Sequence, residues 1–169
     1  MRKKGTRACR RPPRLKWPND LMLADRKAGG ILCEAGPEGV FAGIGLNCNQ
    51  TLFPPDLEGG ATSLVRELGL LVERWELLEL FLEELARSLR DDQWRSRAQA
   101  LLWRRGESDT FLPGLEGSAF SKAAQGLSGT IEGIDELGSL LFRVGGASHA
   151  QSFAAGELRA DRLPGGKSR

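Results

Sequence analysis

The sequence predicts an α+β protein: an antiparallel meander of short strands, a helical middle, and a small β-barrel towards the C-terminus. Three observations carry that reading. Short apolar runs broken by glycines and turn residues fill residues 15–49, a helical apolar period takes over from about 62 to 105, and alternation with frequent glycine returns after Glu107. At 169 residues the chain has room for one domain or two small ones. The expected organisation is a basic arm over 1–14, a first domain over 15–106, a β domain over 107–160 and a frayed tail over 161–169.

The arm has no apolar period, and Arg10-Arg11-Pro12-Pro13-Arg14 reads as extended and solvated. The runs Leu15–Trp17, Leu21–Leu23, Gly30–Ala35 and Val40–Leu46 then alternate with turn chemistry at Pro18-Asn19-Asp20, Asp25-Arg26-Lys27 and Gly36-Pro37-Glu38-Gly39. The last of these predicts a hairpin. Thr62-Ser63 supplies hydroxyl caps for a short helix that Gly69 would stop. A longer helix is expected from about Glu73 to Arg90, where Leu78, Phe81, Leu82, Leu85 and Leu89 form one stripe turned towards a core. Asp91-Asp92 would cap a third helix ending near Arg105-Gly106. In the C-terminal part, 130–135 and 139–144 read as a hairpin, and His149–Phe153 as a further strand of a small barrel.

Composition excludes several function classes. The chain is 40% hydrophobic and 27% charged, as in ordinary globular proteins, and its greasiest stretch, Leu70 to Leu89, carries seven charged residues, so no membrane-spanning helix is expected. Eight of the 24 Lys and Arg, but only one of the 22 acids, lie in residues 1–20. The rest is mildly acidic, so a nucleic-acid-binding body is not expected. The three cysteines, Cys9, Cys33 and Cys48, form no Cys-x-x-Cys pair, which argues against zinc and for a reducing cytoplasm. His149 has no nucleophile constellation around it, and Glu79, Glu83 and Glu84 read as a solvated helix face.

Three clusters have the residue types of a binding site: Lys16-Trp17-Pro18-Asn19-Asp20, Lys27-Ala28-Gly29-Gly30-Ile31-Leu32, and Gly43-Ile44-Gly45-Leu46-Asn47-Cys48-Asn49. A strand-end lysine fixed by a turn can meet a carboxylate or phosphate as a compact charge; its plainer reading is a side chain in solvent. Glycines two apart in a strand remove two side chains from one face, which lets a flat ligand approach, or marks a bulge. Asn47 and Asn49 are neutral oxygen donors able to reach a hydrated Mg²⁺ on a nucleotide, or simple turn formers. None of these glycines builds a Walker loop or a Rossmann fingerprint.

In this order and spacing, the clusters closely resemble the central part of the biotin protein ligases. The likeness returns in Gly133-Ile134-Asp135-x-x-Gly138-x-Leu140-Leu141 and Gly156-Glu157 and covers about residues 15–158. The resemblance implies a partial class II synthetase-like sheet with helices, followed by an SH3-like barrel. It implies ATP-dependent formation of biotinyl-5′-AMP, then transfer of biotin to a lysine of the biotin carboxyl carrier protein of acetyl-CoA carboxylase. By the same resemblance Lys16 is the catalytic cation; Leu21, Gly43, Ile44, Gly45 and Leu46 bind biotin; Asn19, Lys27 and Asn47 serve the nucleotide, Asn47 through Mg²⁺. The family's Gly-Arg-Gly-Arg loop and earlier strands have no counterpart here, so the resemblance implies a truncated ligase, impaired alone. A separate N-terminal fragment or a homodimer would complete it. A remnant that only binds the carrier, or a lipoate ligase-like transferase, are the competing expectations.

Overall fold

The computed structural model describes residues 12–114 and 126–159. Most of the basic arm, the tail from residue 160, and residues 115–125 lie outside the described residues. The described residues divide into two compact units: one of residues 12–15 with 19–94, the other of residues 16–18 with 95–114 and 126–159.

The first unit contains the expected meander. Strands β1 (Arg14–Lys16), β2 (Asp20–Leu23), β3 (Arg26–Gly36) and β4 (Gly39–Leu46) form one sheet in the order β1-β2-β3-β4. β2 and β3 are antiparallel, as are β3 and β4. Ala24 and Asp25 join β2 to β3 with φ of 47° and 61°, the left-handed pair that suits a tight hairpin turn. Pro37-Glu38 joins β3 to β4, with Gly36 paired to Gly39, as the turn residues predicted.

Helix α1 (Leu64–Leu68) begins at its expected cap, Ser63, whose Oγ accepts the Arg66 N–H at 3.3 Å. It stops at Gly69, which is left-handed with φ 71°. Ser63 and Thr62 are fully buried; the Thr62 hydroxyl donates to Glu67 Oε1 at 2.5 Å, the oxygen that also receives Arg26 Nη2 at 2.7 Å. That carboxylate ties α1 to the start of β3. Helix α2 (Arg74–Ser88) forms where its period placed it, but the expected packing is corrected. No residue of α2 is buried, Leu78 and Leu82 are 42% and 53% exposed, and no other described element makes extended contact with it. The apolar period made the helix; among the described residues its stripe is at most partly covered, at Phe81.

The second unit contains α3 (Trp94–Leu101), which ends earlier than expected, and strands β5 (Ser108–Pro113), β6 (Leu127–Ile134), β7 (Leu140–Val144), β8 (Gln151–Phe153) and β9 (Gly156–Arg159). These pair antiparallel in the order β8-β7-β6-β5-β9. His149 is exposed and precedes β8 instead of opening it. Trp17, Leu102, Phe111, Ile131, Ile134, Leu140, Phe142 and Leu158 make one buried core. Phe111 is its centre, with ring centroids 6.0 Å from Trp17, 5.5 Å from Phe142 and 4.7 Å from Phe153. The indole N–H of Trp17 donates to the Gly138 carbonyl at 3.0 Å, so its one polar atom is satisfied.

Candidate active site

The site residues sort by strand register. Asp20 pairs with Gly30 and Gly30 with Gly45, so these three form one row across β2, β3 and β4. Directly opposed residues share a face, and residues two apart along a strand do too. Gly30, Gly43 and Gly45 therefore lie on one face of the sheet, with Asp20 at its margin. A Cβ on Gly45 would meet nothing within 4 Å, and one on Gly43 only the Leu32 carbonyl at 3.8 Å. The result is a strip of bare backbone open to a flat ligand.

Leu21, Gly29 and Leu46 form the adjacent row. Pleating turns that row, and Ile44 with it, to the opposite face. The structure thus brings Gly43 and Gly45 together, and Leu21, Ile44 and Leu46 together, on two sides of one sheet. Gly29 is where the backbones crowd, since a Cβ there would stand 2.5 Å from the Gly45 carbonyl oxygen.

Two charged side chains border the bare strip. Lys27 Nζ lies 2.5 Å from Asp20 Oδ1, and the Lys27 stem and Asp20 carboxylate both sit over Gly30. The lysine is 52% exposed and the aspartate 16%, so an incoming anion can compete for the ammonium. Asp20 lay in the first candidate cluster without a role of its own; its pairing with Lys27 depends on the tight turn at Ala24-Asp25, which the structure shows.

Asn47 donates its side-chain N–H to the Thr62 carbonyl at 3.0 Å, and its Oδ1 has no described partner. Asn49 exchanges both amide bonds with the Val72 backbone, at 2.9 Å each. Asn49 therefore imitates a strand residue, and its oxygen is committed. The Asn19 carbonyl accepts the Ile31 N–H at 2.9 Å, leaving its side chain exposed.

Lys16 and Trp17 group with the second unit. Trp17 is 6% exposed in that unit's core and is joined to Pro18 by a cis peptide bond. The Lys16 side chain is 12% exposed, and its described partner is Glu157 on β9, 4.0 Å away and itself 68% exposed.

No family model matches the chain. Among curated proteins, the biotin–[acetyl-CoA-carboxylase] ligase of Mycobacterium tuberculosis is 34% identical over 133 residues, covering 78% of this chain and 48% of that protein. The enzyme of the same name from Paracoccus denitrificans is 32% identical over 162 residues, 85% of this chain and 61% of its own length. The biotin protein ligase of Aquifex aeolicus in complex with biotin and ATP superposes with a TM-score of 0.73 at 25% identity, over 89% of this chain and 62% of that one. This chain is similar to the biotin protein ligases over most of its length. It matches their C-terminal part and spans about half the length of the curated relatives. The α+β fold and the SH3-like character of the second unit agree with that likeness.

Among the described residues no group of three or more His, Cys, Asp or Glu is placed to hold a metal. One asparagine oxygen does not make a resident Mg²⁺ centre, which needs several oxygen ligands. Nor is any helix among the described residues long and apolar enough to cross a membrane.

Proposed function

We propose that this chain provides the C-terminal half of a biotin protein ligase site, catalysing ATP-dependent biotinyl-5′-AMP formation and biotin transfer to a carrier lysine. The observation that supports it most is the open strip at Gly43 and Gly45, ending at a Gly30 overlain by Lys27 and Asp20, in a chain whose relatives carry that name. Biotin is bedded on the strip, with Leu21, Ile44 and Leu46 backing the sheet from its other side. ATP phosphates draw Lys27 away from Asp20, and Asn19 and Asn47 hold the nucleotide. Mg²⁺ arrives with ATP as part of that substrate, and the Asn47 Oδ1 is offered to it.

In the first step a biotin carboxylate oxygen attacks the α-phosphorus and pyrophosphate leaves. In the second, the deprotonated carrier lysine attacks the acyl carbon and AMP leaves. Two anionic groups are forced together in the first step, and a cation there, the role the family likeness gives to Lys16, stabilises the transition state more than the separated reactants. The carrier is the biotin carboxyl carrier protein of acetyl-CoA carboxylase. Free thiols at Cys33 and Cys48 and the need for ATP suit a reducing cytoplasm.

The test is release of labelled pyrophosphate and formation of biotinyl-AMP by this chain, alone and with the N-terminal half of a relative. Lys16→Ala should abolish adenylate formation, and Lys16→Arg should be poor, because a planar fork does not replace a point charge. Full adenylation by Lys16→Ala would overturn the assignment. Preference for lipoate over biotin in competition would assign the strip to a lipoate ligase-like transferase, and carrier binding without AMP release would make the chain a non-catalytic remnant.

A further inference from the structure

Thr62 and Ser63 are neighbours, both fully buried, and their hydroxyls serve different ends. Ser63 caps α1 and donates to the Gln50 carbonyl at 2.5 Å. The Thr62 hydroxyl does neither. It donates to Glu67 Oε1 at 2.5 Å, and that oxygen also accepts Arg26 Nη2 at 2.7 Å. The Glu67 side chain is 12% exposed and that of Arg26 33%. Drawing two charges so far out of water is poor support for a fold, because packed apolar side chains of similar volume stabilise it as well or better. The reason for this clamp lies in what it holds.

It holds residues 60–62 against two residues assigned to the nucleotide. The Lys27 N–H donates to the Gly60 carbonyl at 2.8 Å and the Thr62 N–H donates to the Lys27 carbonyl at 2.9 Å, so the main chain of Lys27 is fixed from both sides. The Thr62 carbonyl accepts the Asn47 side-chain N–H at 3.0 Å. A carbonyl only accepts, so it sorts the two ends of that amide: the nitrogen faces Thr62 and Oδ1 faces away from it. The Asn47 main chain is tied as well, its N–H to the Ala28 carbonyl at 2.7 Å and its carbonyl to the Leu64 N–H at 2.9 Å. Side-chain rotation is then the freedom that the Thr62 carbonyl removes. We infer that Thr62, locked by Glu67 and Arg26, is a positioning residue that fixes the direction of Asn47 Oδ1 and the main chain of Lys27 for the phosphates of Mg-ATP. The inference rests on the proposed function and adds to it three side chains that touch no substrate. Groups of this kind, one step removed from the ligand, change affinity or activity by about 10–100-fold when lost.

The experiment compares the native chain with Thr62→Val, which keeps the branched shape and discards the hydroxyl, and with Thr62→Ser, which restores it. NMR of the full chain reads hydrogen exchange of the Asn47 side-chain amide, identified by its absence in Asn47→Asp. Calorimetry reads Mg-ATP and biotin affinity, for the chain alone and for the two-part protein made with the N-terminal half of a relative. In Thr62→Val the Asn47 amide should exchange faster by about tenfold, as a bond that opens more often does. Mg-ATP affinity should fall by about tenfold while biotin affinity is kept, and Thr62→Ser should recover both native values. Glu67→Gln leaves an oxygen for Thr62 but no charge for Arg26, so it should shift both readings the same way by less, and it carries the test if Thr62→Val does not fold. Leu23→Ala, at a buried site of the same unit, should lower the urea midpoint and move neither reading. An Asn47 amide indifferent to Thr62→Val and Glu67→Gln overturns the inference. So does a Leu23→Ala protein that loses Mg-ATP as readily, which would reduce the clamp to a stabilising contact. Failure of both native forms to bind Mg-ATP, with an Asn47 amide that still responds to Thr62, refutes the proposed function and leaves the positioning of that amide standing.

Discussion

Gly29 and Gly45 stand on neighbouring strands, both outside the left-handed region, yet one added methyl should affect them with opposite sign. At Gly29 a Cβ would lie 2.5 Å from the Gly45 carbonyl oxygen and 3.1 Å from Leu46 Cδ1. The carbonyl is backbone and does not swing aside, so β3 and β4 must separate. Overpacking of this kind costs ~1–3 kcal/mol. Against it stands a gain of ~0.4–1 kcal/mol from restricting the unfolded chain, for a net loss near 1–2 kcal/mol. At Gly45 a Cβ meets nothing within 4 Å, so only the gain remains. Gly29→Ala and Gly45→Ala should therefore differ by ~2 kcal/mol, which at a urea slope of ~1–3 kcal/mol per molar separates their midpoints by about 1 M. Urea titration of the full chain, followed by far-ultraviolet circular dichroism, measures the gap. Coincident midpoints, or a Gly45→Ala protein less stable than Gly29→Ala, would refute the register argument. The same methyl at Gly45 intrudes on the bed assigned to biotin. In the two-part protein, calorimetry should show biotin affinity reduced by about tenfold or more, ~1.4 kcal/mol, while stability is kept.

Three further outcomes follow from local geometry. Trp17→Phe removes the indole donor from the Gly138 carbonyl and shrinks a ring in the second unit's core, so it should destabilise that unit by ~1–3 kcal/mol; an unchanged thermal midpoint would contradict the hydrogen bond. Ala24 sits at φ 47°, so Ala24→Gly should relieve up to ~1 kcal/mol of strain and raise the unfolding midpoint, whereas a lowered one would show that this turn has another shape. The Asp135 carboxyl is held below the usual carboxylate range, first by the Ser152 hydroxyl at 2.6 Å and then by the backbone N–H groups of Ser139 and Leu137, while desolvation opposes them. A depressed native value means this stabilisation is present above the ordinary carboxylate range and is lost as pH falls through the depressed value. Ser152→Ala should move the Asp135 titration upward in NMR and bring on acid loss of the β6–β7 turn at higher pH; an unmoved titration would exclude the hydroxyl as its main cause.

Local chemistry was the legible part of this fold. Gly36-Pro37-Glu38-Gly39 placed a hairpin turn, Ser63 and Gly69 bounded α1, and the alternation after Glu107 produced an antiparallel β unit, because turns, caps and periods are decided by a few neighbouring residues. What the leucines of α2 would touch was not legible, since a helical period reports an apolar stripe and not its partner. The site was half legible for a related reason. Gly43 and Gly45 announced a bare face, but whether Leu46 shares it depends on pleat and register. Asn49 read as an oxygen donor like Asn47, and only the fold shows its amide spent on the Val72 backbone. The pairing of Asp20 with Lys27 became visible only once the turn at Ala24-Asp25 brought the two together.

The Lys-Trp-Pro motif combines residues present for different reasons, and stability separates them. Trp17 is held by an aromatic core and a hydrogen bond, so its contribution is to the fold. Lys16 is nearly buried, yet its described partner is a mostly exposed carboxylate at 4.0 Å, and ion pairs of that kind are worth about 0–1 kcal/mol. Removing an ammonium from water costs more than so weak a partner returns, so the lysine is a net burden on the folded chain. Lys16→Met keeps the aliphatic stem and discards the charge; it should leave the urea midpoint unchanged or higher while eliminating adenylate formation by the two-part protein. Loss of stability with retained turnover would reverse the reading and make Lys16 a structural residue, leaving the reaction without its cation.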